Sequence, residues 1–165
     1  MYKIVVKTMR EIRRKEKTIT NQDEIKEILL TKKYITLALA KDNIPYIVTL
    51  SHGYDMIKNC IYFHCANKGK KIDYLNSNNK VWGQAIDDFG YLEGKCSHAF
   101  KTAQFEGKVS FVTDFNEKRH ALTLMINQLE SDPKAVIEKQ LKESAIKKVT
   151  IGRIDIENLS GKFNL

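Results

Sequence analysis

The sequence is poor in cysteine, and the cysteines it has form no recognisable framework. Cys60, Cys65 and Cys96 are an odd number and include no C-x-x-C pair. Disulfide scaffolds use even numbers of cysteines, and free cysteines are typical of reducing compartments. We therefore expect a cytoplasmic protein without a disulfide framework.

Long apolar runs are also absent. No stretch approaches the roughly 20 apolar residues that a membrane-spanning helix needs. The first residues, MYKIVVKTMREIRRKEK, contain no long apolar core followed by a small-residue cleavage site. They do not have the pattern of a secretory signal. We expect neither a membrane span nor a secretory signal.

Familiar ligand motifs are missing as well. The chain has no G-x-G-x-x-G, no Walker loop and no G-x-S-x-G, so a nucleotide-like ligand would have to be bound in another way. His64, Cys65, Cys96 and His98 are residue types that bind zinc, but their spacing matches no zinc signature. We expect no metal site. A Cys–His nucleophile pair is equally disfavoured because no third group orients it.

Two further histidines and one cysteine have unremarkable sequence surroundings. His52 has the setting of a loop residue, and His120 that of a helix-surface residue. No cation is evident on the strand face that carries Cys65, so we do not expect this thiol to be a redox nucleophile.

The composition is that of a basic, globular chain. It has 165 residues, of which 42% are hydrophobic and 29% charged, with a net charge of +8. This length predicts a single domain over residues 1–165. The charge suits nucleic acid, an anionic membrane or a small phosphorylated ligand. Nucleic acid is disfavoured, because the only dense basic cluster, Arg10–Lys17, contains two glutamates and no aromatic residues.

Six segments have the composition or alternation of β-strands. Short turns join the first three segments, which predicts an antiparallel meander. Gly107 predicts a bulge in the long fifth segment, and residues 53–59 and 88–97 are expected to be a turn and an irregular segment. In chain order the strands are 34–40, 46–52, 60–66, 80–87, 99–114 and 147–162.

Four segments are predicted to be helices. Asn21 and Asp114 each precede a glutamate by three residues, which is the spacing of a capping box. Further helices are expected at 68–77 and, opened by Pro133, at 133–142. The helix after Asp114 has a stripe expected to be buried, formed by Leu122, Met125, Ile126 and Leu129. Strands and helices together predict an α+β domain, an antiparallel barrel with helices packed outside it.

The stretch IYFHCANKGKK, residues 61–71, leads from a strand into a glycine and two lysines. Backbone N–H groups at a glycine can approach an anion closely, and a helix that begins there directs its positive end at the anion. Gly69, Lys70 and Lys71 are therefore a candidate phosphate site. An ordinary solvated turn is the alternative, and the local sequence alone favours it. His64 and Cys65 are neighbours on the strand and must point to opposite faces.

Six segments follow one another along the chain: RRKEKTIT, IPYIVTLSHGYD, IYFHCANKGKKIDYL, NNKVWG, FKTAQFEGKVSFVTDFNEKRHAL and IENLSGK. In this order they resemble the pyridoxamine 5'-phosphate oxidase-like family of FMN-binding split barrels, and the nitroimidazole-resistance (Nim) branch is the most similar. The resemblance covers about residues 13–162 and leaves residues 1–12 as an N-terminal extension. It implies a six-stranded antiparallel split β-barrel with flanking helices, a homodimer, and FMN at the dimer interface.

The same resemblance assigns the residues of a flavin site. The G-K-K segment would bind the flavin phosphate, the second strand would lie beside the isoalloxazine ring, and two residues of the fifth strand would reach the flavin from the partner subunit. His64 is the candidate for proton delivery, and Tyr54 or Tyr62 for stacking or hydrogen bonding. The implied cofactor-binding residues are Tyr46, Ile47, Val48, Thr49, Leu50, Ser51, His64, Cys65, Gly69, Lys70, Lys71, Lys101 and Thr102.

Three positions depart from the pattern of this branch. Thr49 replaces a proline, and Lys101 takes a place often held by arginine, which removes bidentate binding there. Trp82 is bulkier than the usual residue; it either narrows the substrate side of the flavin or fills the barrel core, and a lone tryptophan in a strand favours the core.

The resemblance implies an FMN-dependent oxidoreductase. It would pass electrons from NAD(P)H or another donor to a small organic acceptor such as a nitro-aromatic compound. The alternative is a non-catalytic flavin- or haem-binding module that serves storage, sensing or degradation, because one fold hosts several functions.

Overall fold

The computed structural model describes residues 12–165 of the chain. The N-terminal extension expected at residues 1–12 therefore lies almost wholly outside the described residues. The strands are β1 Thr18–Ile19, β2 Tyr34–Lys41, β3 Ile44–Ser51, β4 Gly53–Asp55, β5 Cys60–Cys65, β6 Lys80–Leu92, β7 Ser97–Phe111 and β8 Thr150–Asn164. The α-helices are α1 Gln22–Thr31, α2 Lys70–Ser77, α3 Phe115–Leu129, α4 Pro133–Gln140 and α5 Glu143–Lys148, and a 3₁₀ helix spans Lys15–Lys17.

The eight strands of the described chain form one antiparallel sheet in the order β3-β2-β6-β7-β8-β5-β4, with β1 paired to β8. The predicted α+β class and the antiparallel split-barrel architecture with flanking helices are confirmed. The six predicted strands correspond to β2, β3, β5, β6, β7 and β8. The sequence patterns missed β1 and β4, which have only two and three residues, and the six-residue α5. No helix within residues 12–165 is long and apolar enough to cross a membrane.

The segment expected to be irregular at 88–97 is mostly a hairpin. Strand β6 continues to Leu92, and β7 begins at Ser97. The left-handed conformations of Gly94 and Cys96, with φ of 73° and 45°, close the turn between them. The predicted bulge at Gly107 is confirmed as a register shift between β7 and β8. A Cβ there would lie 2.4 Å from the Asp155 carbonyl oxygen, so the close backbone approach requires glycine.

Aromatic rings that lie against glycines fill the barrel. Phe63 on β5 is paired with Gly152 on β8, and Phe105 on β7 with Gly83 on β6. A Cβ at Gly152 would be 2.2 Å from Phe63 Cζ, and one at Gly83 would be 2.3 Å from Phe105 Cζ. Both phenylalanines are fully buried. The missing glycine side chains therefore provide the space that the rings occupy.

Side-chain caps begin α1 and α3, as the sequence predicts. The Asn21 side chain accepts the N–H of Asp23 at 2.9 Å, and the Asp114 side chain accepts that of Glu117 at 2.7 Å. The stripe expected on α3 is only partly confirmed. Met125 is buried, whereas Leu122, Ile126 and Leu129 are half-buried, because α4 covers this face of α3 incompletely.

His52 corrects an expectation from the sequence: it is a core residue and not an ordinary loop residue. The side chain is fully buried. Its Nε2 donates to the Leu29 carbonyl oxygen at 2.9 Å, and the Gln128 side-chain amide donates to the same oxygen. Within the described chain, Nδ1 is buried without a hydrogen-bond partner. Burial lowers the pKa of His52 to about 4, although the Leu29 hydrogen bond opposes the shift.

This low pKa predicts that acid destabilises the fold through His52. The unfolded chain takes up a proton near the ordinary pKa of 6.5, whereas the folded chain does so only near 4. Protonation therefore favours the unfolded chain. The free energy of unfolding is unaffected by His52 above pH 6.5 and falls as the pH is lowered from 6.5 towards 4. We expect the free energy of unfolding of the wild type to fall by about 2 kcal/mol more than that of His52→Gln between pH 7 and pH 5. Urea denaturation at the two pH values measures this difference, and parallel losses in both proteins would contradict it.

Candidate functional site

The N-terminus of α2 is open to solvent and forms a candidate anion site, here called the cradle. Gly69 caps the helix with φ of 125°, and nothing lies within 4 Å of the position that a Cβ would occupy. The first hydrogen bond of the helix runs from the Asp73 N–H to the Gly69 carbonyl oxygen at 3.1 Å. The backbone N–H groups of the first turn therefore have no partner within the helix. Such groups, with the positive end of the helix dipole, bind phosphates and carboxylates.

The two lysines of the cradle contact different aromatic rings. Lys70 Nζ lies 4.5 Å from the centre of the Tyr46 ring and 5.6 Å from that of Tyr74. Lys71 Nζ lies 5.5 Å from the centre of the Phe63 ring. These cation–π contacts hold the two ammonium groups over different rings. The fold thus brings Tyr46 of β3, Phe63 of β5 and the lysines of α2 together.

Cys65 lies beside this cradle, at the end of β5. The side chain is half-buried and packs against the main core. Burial raises the pKa of the thiol, and the positive charge of Lys71 opposes this rise. The expectation that no cation lies near Cys65 is therefore wrong, because α2 brings Lys71 to the same face. The pKa of Cys65 is still raised overall, as expected for a thiol that is not a redox nucleophile.

Strand β3 is the edge strand next to the cradle. Among residues 12–165 it has hydrogen-bonded partners only on β2, so its outer edge has unpaired N–H and C=O groups. Its side chains alternate between two faces. Tyr46, Val48 and Leu50 are half-buried against the core, whereas Ile47, Thr49 and Ser51 are exposed. A planar ligand along this edge would contact backbone groups first.

Lys101 and Thr102 lie on β7, which two strands, β2 and β6, separate from β3 in the sheet. Lys101 forms an ion pair with Glu24 of α1, with 2.8 Å between Nζ and Oε1. Thr102 points to the opposite, outer face, where it is 6% exposed and donates to the Lys162 carbonyl oxygen. A single chain therefore does not bring these two residues to Gly69. Their assignment to a second subunit's flavin stays a prediction.

Two adjoining grooves cross the outer face of the sheet. Gln84 and Gln104 border both. One groove, with a volume of about 380 Å³, is lined by Gln84, Ile86, Asp88, His98, Phe100, Thr102, Gln104 and Lys162. The other, of about 230 Å³, is lined by Thr36, Ala38, Ile47, Trp82, Gly83, Gln84 and Gln104.

Trp82 belongs to the outer face and not to the barrel core. Its side chain is 44% exposed and lines the smaller groove, whereas the inward positions of β6 are Val81, Gly83 and Ala85. The core role favoured by the sequence is therefore wrong. The reason is strand register, which places residue 82 on the outer face and gives the space inside to Phe105 through Gly83.

His64 points away from Cys65, as strand alternation requires. It is exposed and lines an apolar groove of about 350 Å³ with α3 and α4. The structure describes no hydrogen bond or ion pair of this imidazole. Its role in proton delivery stays a prediction. Tyr54 and Tyr62 are buried, and their hydroxyls donate to Asn59 and Glu117.

The family of the chain follows from comparison with known proteins. A family model for pyridoxamine 5'-phosphate oxidase matches residues 21–163. The match covers most of the chain, including the cradle, β3 and the outer face of β7. The chain belongs to this family, whose members include flavin-binding proteins. Among curated proteins, no sequence matches it significantly.

Comparison with solved structures supports the family assignment and indicates the branch of the family. A proposed 5-nitroimidazole antibiotic resistance protein from Bacteroides thetaiotaomicron is 25% identical with a TM-score of 0.73; the match covers 88% of this chain and 86% of that one. An FAD-binding protein from Mesorhizobium loti is 22% identical with a TM-score of 0.65, over 90% and 97% of the two chains. An FAD- and haem-binding protein from Mycobacterium smegmatis has the same fold, with 15% identity, a TM-score of 0.75 and coverage of 90% and 73%. The resemblance to the Nim branch is confirmed.

The environments of the cysteines predict an order of chemical modification. Cys96 is exposed on the β6–β7 turn, whereas Cys65 is half-buried with a raised pKa. We expect iodoacetamide at pH 8 to alkylate Cys65 at least about tenfold more slowly than Cys96, because only the thiolate reacts. Peptide mapping by mass spectrometry over time measures both rates in one sample. Equal rates would show that Lys71 activates Cys65.

Proposed function

We propose that the protein binds FMN and is an FMN-dependent oxidoreductase. The observation that carries the proposal is the α2 cradle, in which an open left-handed glycine, free N–H groups and two lysines meet beside the edge of β3. A phosphate suits the cradle, and an aromatic ring system suits the unpaired edge. Membership of a family with flavin-binding proteins supports the same ligand.

Different residues would bind the phosphate, the ribityl chain and the ring of the flavin. Gly69, Lys70 and Lys71 hold the phosphate, and Cys65 lies where the ribityl chain passes. The backbone of β3, from Tyr46 to Ser51, faces the edge of the isoalloxazine ring. Ile47, which lines the smaller groove, and Thr49, exposed on the same face of β3, would border the ring.

The flavin would supply the redox chemistry when it is bound, and the protein would supply position and electrostatics. We propose NAD(P)H or another donor as the source of electrons and a small organic compound, such as a nitro-aromatic, as the acceptor. The similarity to the Bacteroides thetaiotaomicron protein supports this acceptor class. The spectrum of the purified protein tests the cofactor: FMN gives two bands in the blue and near-ultraviolet, whereas haem gives one intense Soret band.

We further propose a cytoplasmic homodimer with the flavin at its interface. The outer face of the sheet is apolar and uncovered in the single chain: Ile47 is 67%, Trp82 44% and Ile86 41% exposed. Large exposed apolar patches mark interaction surfaces. A second copy packed on this face would bring Thr102 towards the flavin of the first, as the family resemblance implies.

The first test of the proposal removes the cradle lysines. Lys70→Ala combined with Lys71→Ala should weaken FMN binding on the order of a hundredfold or more, because hydrogen bonds to charged groups contribute roughly 1.5–3 kcal/mol each. Riboflavin lacks the phosphate and should bind both proteins equally. Titration followed by flavin fluorescence measures both affinities.

The matched control is Lys134→Ala combined with Lys139→Ala. It makes the same change of charge on α4, where both lysines are exposed. FMN affinity should stay within about twofold of the wild type, because screened surface charges have weak effects. If the two double variants bind FMN equally, the G-K-K segment is an ordinary solvated turn.

The second test charges the outer face of the sheet. Wild-type protein should scatter light as a dimer of the 19.1 kDa chain at micromolar concentration. Trp82→Glu should raise the dissociation constant more than tenfold, because the dimer would have to bury a carboxylate. Ile57→Glu, at a 98% exposed position after β4, is the control and should leave the dimer intact. A wild-type monomer, or an undisturbed Trp82→Glu dimer, would contradict the proposed interface.

A further inference from the structure

The β6–β7 hairpin carries an Asp–His pair on the outer face of the sheet. His98 Nε2 lies 2.6 Å from Asp88 Oδ1. The same Asp88 oxygen accepts the Gly90 N–H at 2.8 Å. This second bond arises because the register of β6 shifts between Asp88 and Gly90, which turns the backbone N–H towards the carboxylate. The carboxylate is therefore fixed from both sides.

Both members of the pair line the larger outer groove. Its volume of about 380 Å³ is sufficient for a small organic molecule. Ile86 and Phe100 give the groove an apolar wall. Lys162 and Thr102 also line the groove and add polar groups, and Thr102 is one of the residues that the family resemblance places at the flavin. The groove thus places the Asp88–His98 pair beside Thr102, which the resemblance assigns to the flavin of the partner subunit.

We propose that this groove is the electron-acceptor site and that His98, positioned by Asp88, delivers a proton to the acceptor. The inference rests on the proposed function of the protein as a flavin-dependent oxidoreductase. The substrate class is a small aromatic compound with a polar, electron-accepting substituent. Ile86 and Phe100 contact the ring, and Lys162 and His98 face the substituent. This assigns proton delivery to His98 instead of His64.

The stoichiometry of a two-electron reduction requires a second proton besides the one carried by the hydride. An acceptor A reacts as A + NAD(P)H + H⁺ → AH₂ + NAD(P)⁺. The nicotinamide would give up two electrons and one proton as a hydride equivalent, and a bound flavin would supply the redox chemistry that passes the electrons on. The second proton comes from the imidazolium of His98, which is then reprotonated from solvent. General acids of this kind typically contribute 10²–10⁴-fold to rate.

Charged and aromatic groups of β6 and β8 lie around His98. Asp88 on β6 is the carboxylate in contact, and its own pKa is lowered by the Gly90 N–H bond and by His98. Tyr91, also on β6, lies beside the ring, with 6.4 Å between centroids. Lys162 on β8 is the cation that lines the same groove. The hydrogen bond to Asp88 fixes the orientation of the imidazole. By contrast, His64 has no described carboxylate partner.

The experiment separates proton delivery from electron transfer. FMN-loaded wild type and His98→Gln are reduced with dithionite without oxygen and mixed with either 4-nitrobenzoate or ferricyanide in a stopped-flow spectrometer. Ferricyanide accepts electrons without a proton. We expect His98→Gln to slow reoxidation by 4-nitrobenzoate on the order of a hundredfold. FMN affinity and reoxidation by ferricyanide should be unchanged.

Two further variants test the pairing. Asp88→Asn keeps an acceptor for the Gly90 N–H but removes the carboxylate that positions the imidazole, so reoxidation by 4-nitrobenzoate should slow while reoxidation by ferricyanide stays unchanged. His120→Gln is the matched control: His120 forms a similar pair with Asp55, at 2.7 Å, outside the groove. Its rates with both acceptors should equal those of the wild type.

The possible outcomes distinguish a failure of this inference from a failure of the proposed function. If the wild type binds no FMN, or bound FMN reoxidises with neither acceptor, the proposed function and the inference both fail. If the wild type reduces 4-nitrobenzoate and His98→Gln does so equally fast, only the inference fails. A loss in His64→Gln with none in His98→Gln would move the proton donor to the groove of α3 and α4. Equal losses with both acceptors in His98→Gln would also overturn proton delivery.

Discussion

The packing of Phe63 against Gly152 is the contact on which the rest of the structure depends. It lets β5 and β8 pair closely at the centre of the barrel, and a Cβ at residue 152 would occupy the place of the ring. The same ring receives the ammonium of Lys71 at 5.5 Å. One buried phenylalanine thus links the hydrophobic core to the first turn of α2. The anion cradle is positioned by core packing, and not by the loop that precedes it.

Because side chains alternate between the two faces of a strand, the polar and reactive side chains lie on two different surfaces. Inward residues of β2, β6 and β7 fill the barrel, and outward residues form the grooves. Within β7 this alternation separates Lys101, which is bound to Glu24 on the side of α1, from Thr102 on the outer face. Within β5 it separates Cys65 beside the cradle from His64 beside α3. Adjacent residues in the sequence therefore belong to different sites.

The proposed flavin site would be divided between two chains for a related reason. The cradle and the unpaired edge of β3 lie at one end of the sheet order, whereas the larger groove lies over β6, β7 and β8. One copy cannot close both around a single ligand. The exposed Ile47 and Trp82 lie between the two regions, on the face where a second copy would pack. Binding of the cofactor and association of the chains are in this view coupled.

The sequence by itself determined the six long strands, the four longer helices and the G-K-K segment, because these depend on local periodicity, capping and glycine conformation. It could not reveal the buried state of His52, whose partners Leu29 and Gln128 are distant in the chain. Nor could it reveal the exposure of Trp82 or the Asp88–His98 pair. Those depend on strand register and on a bulge, which only the packed sheet fixes. Tertiary contacts therefore decided which of the chemically capable side chains face a common groove.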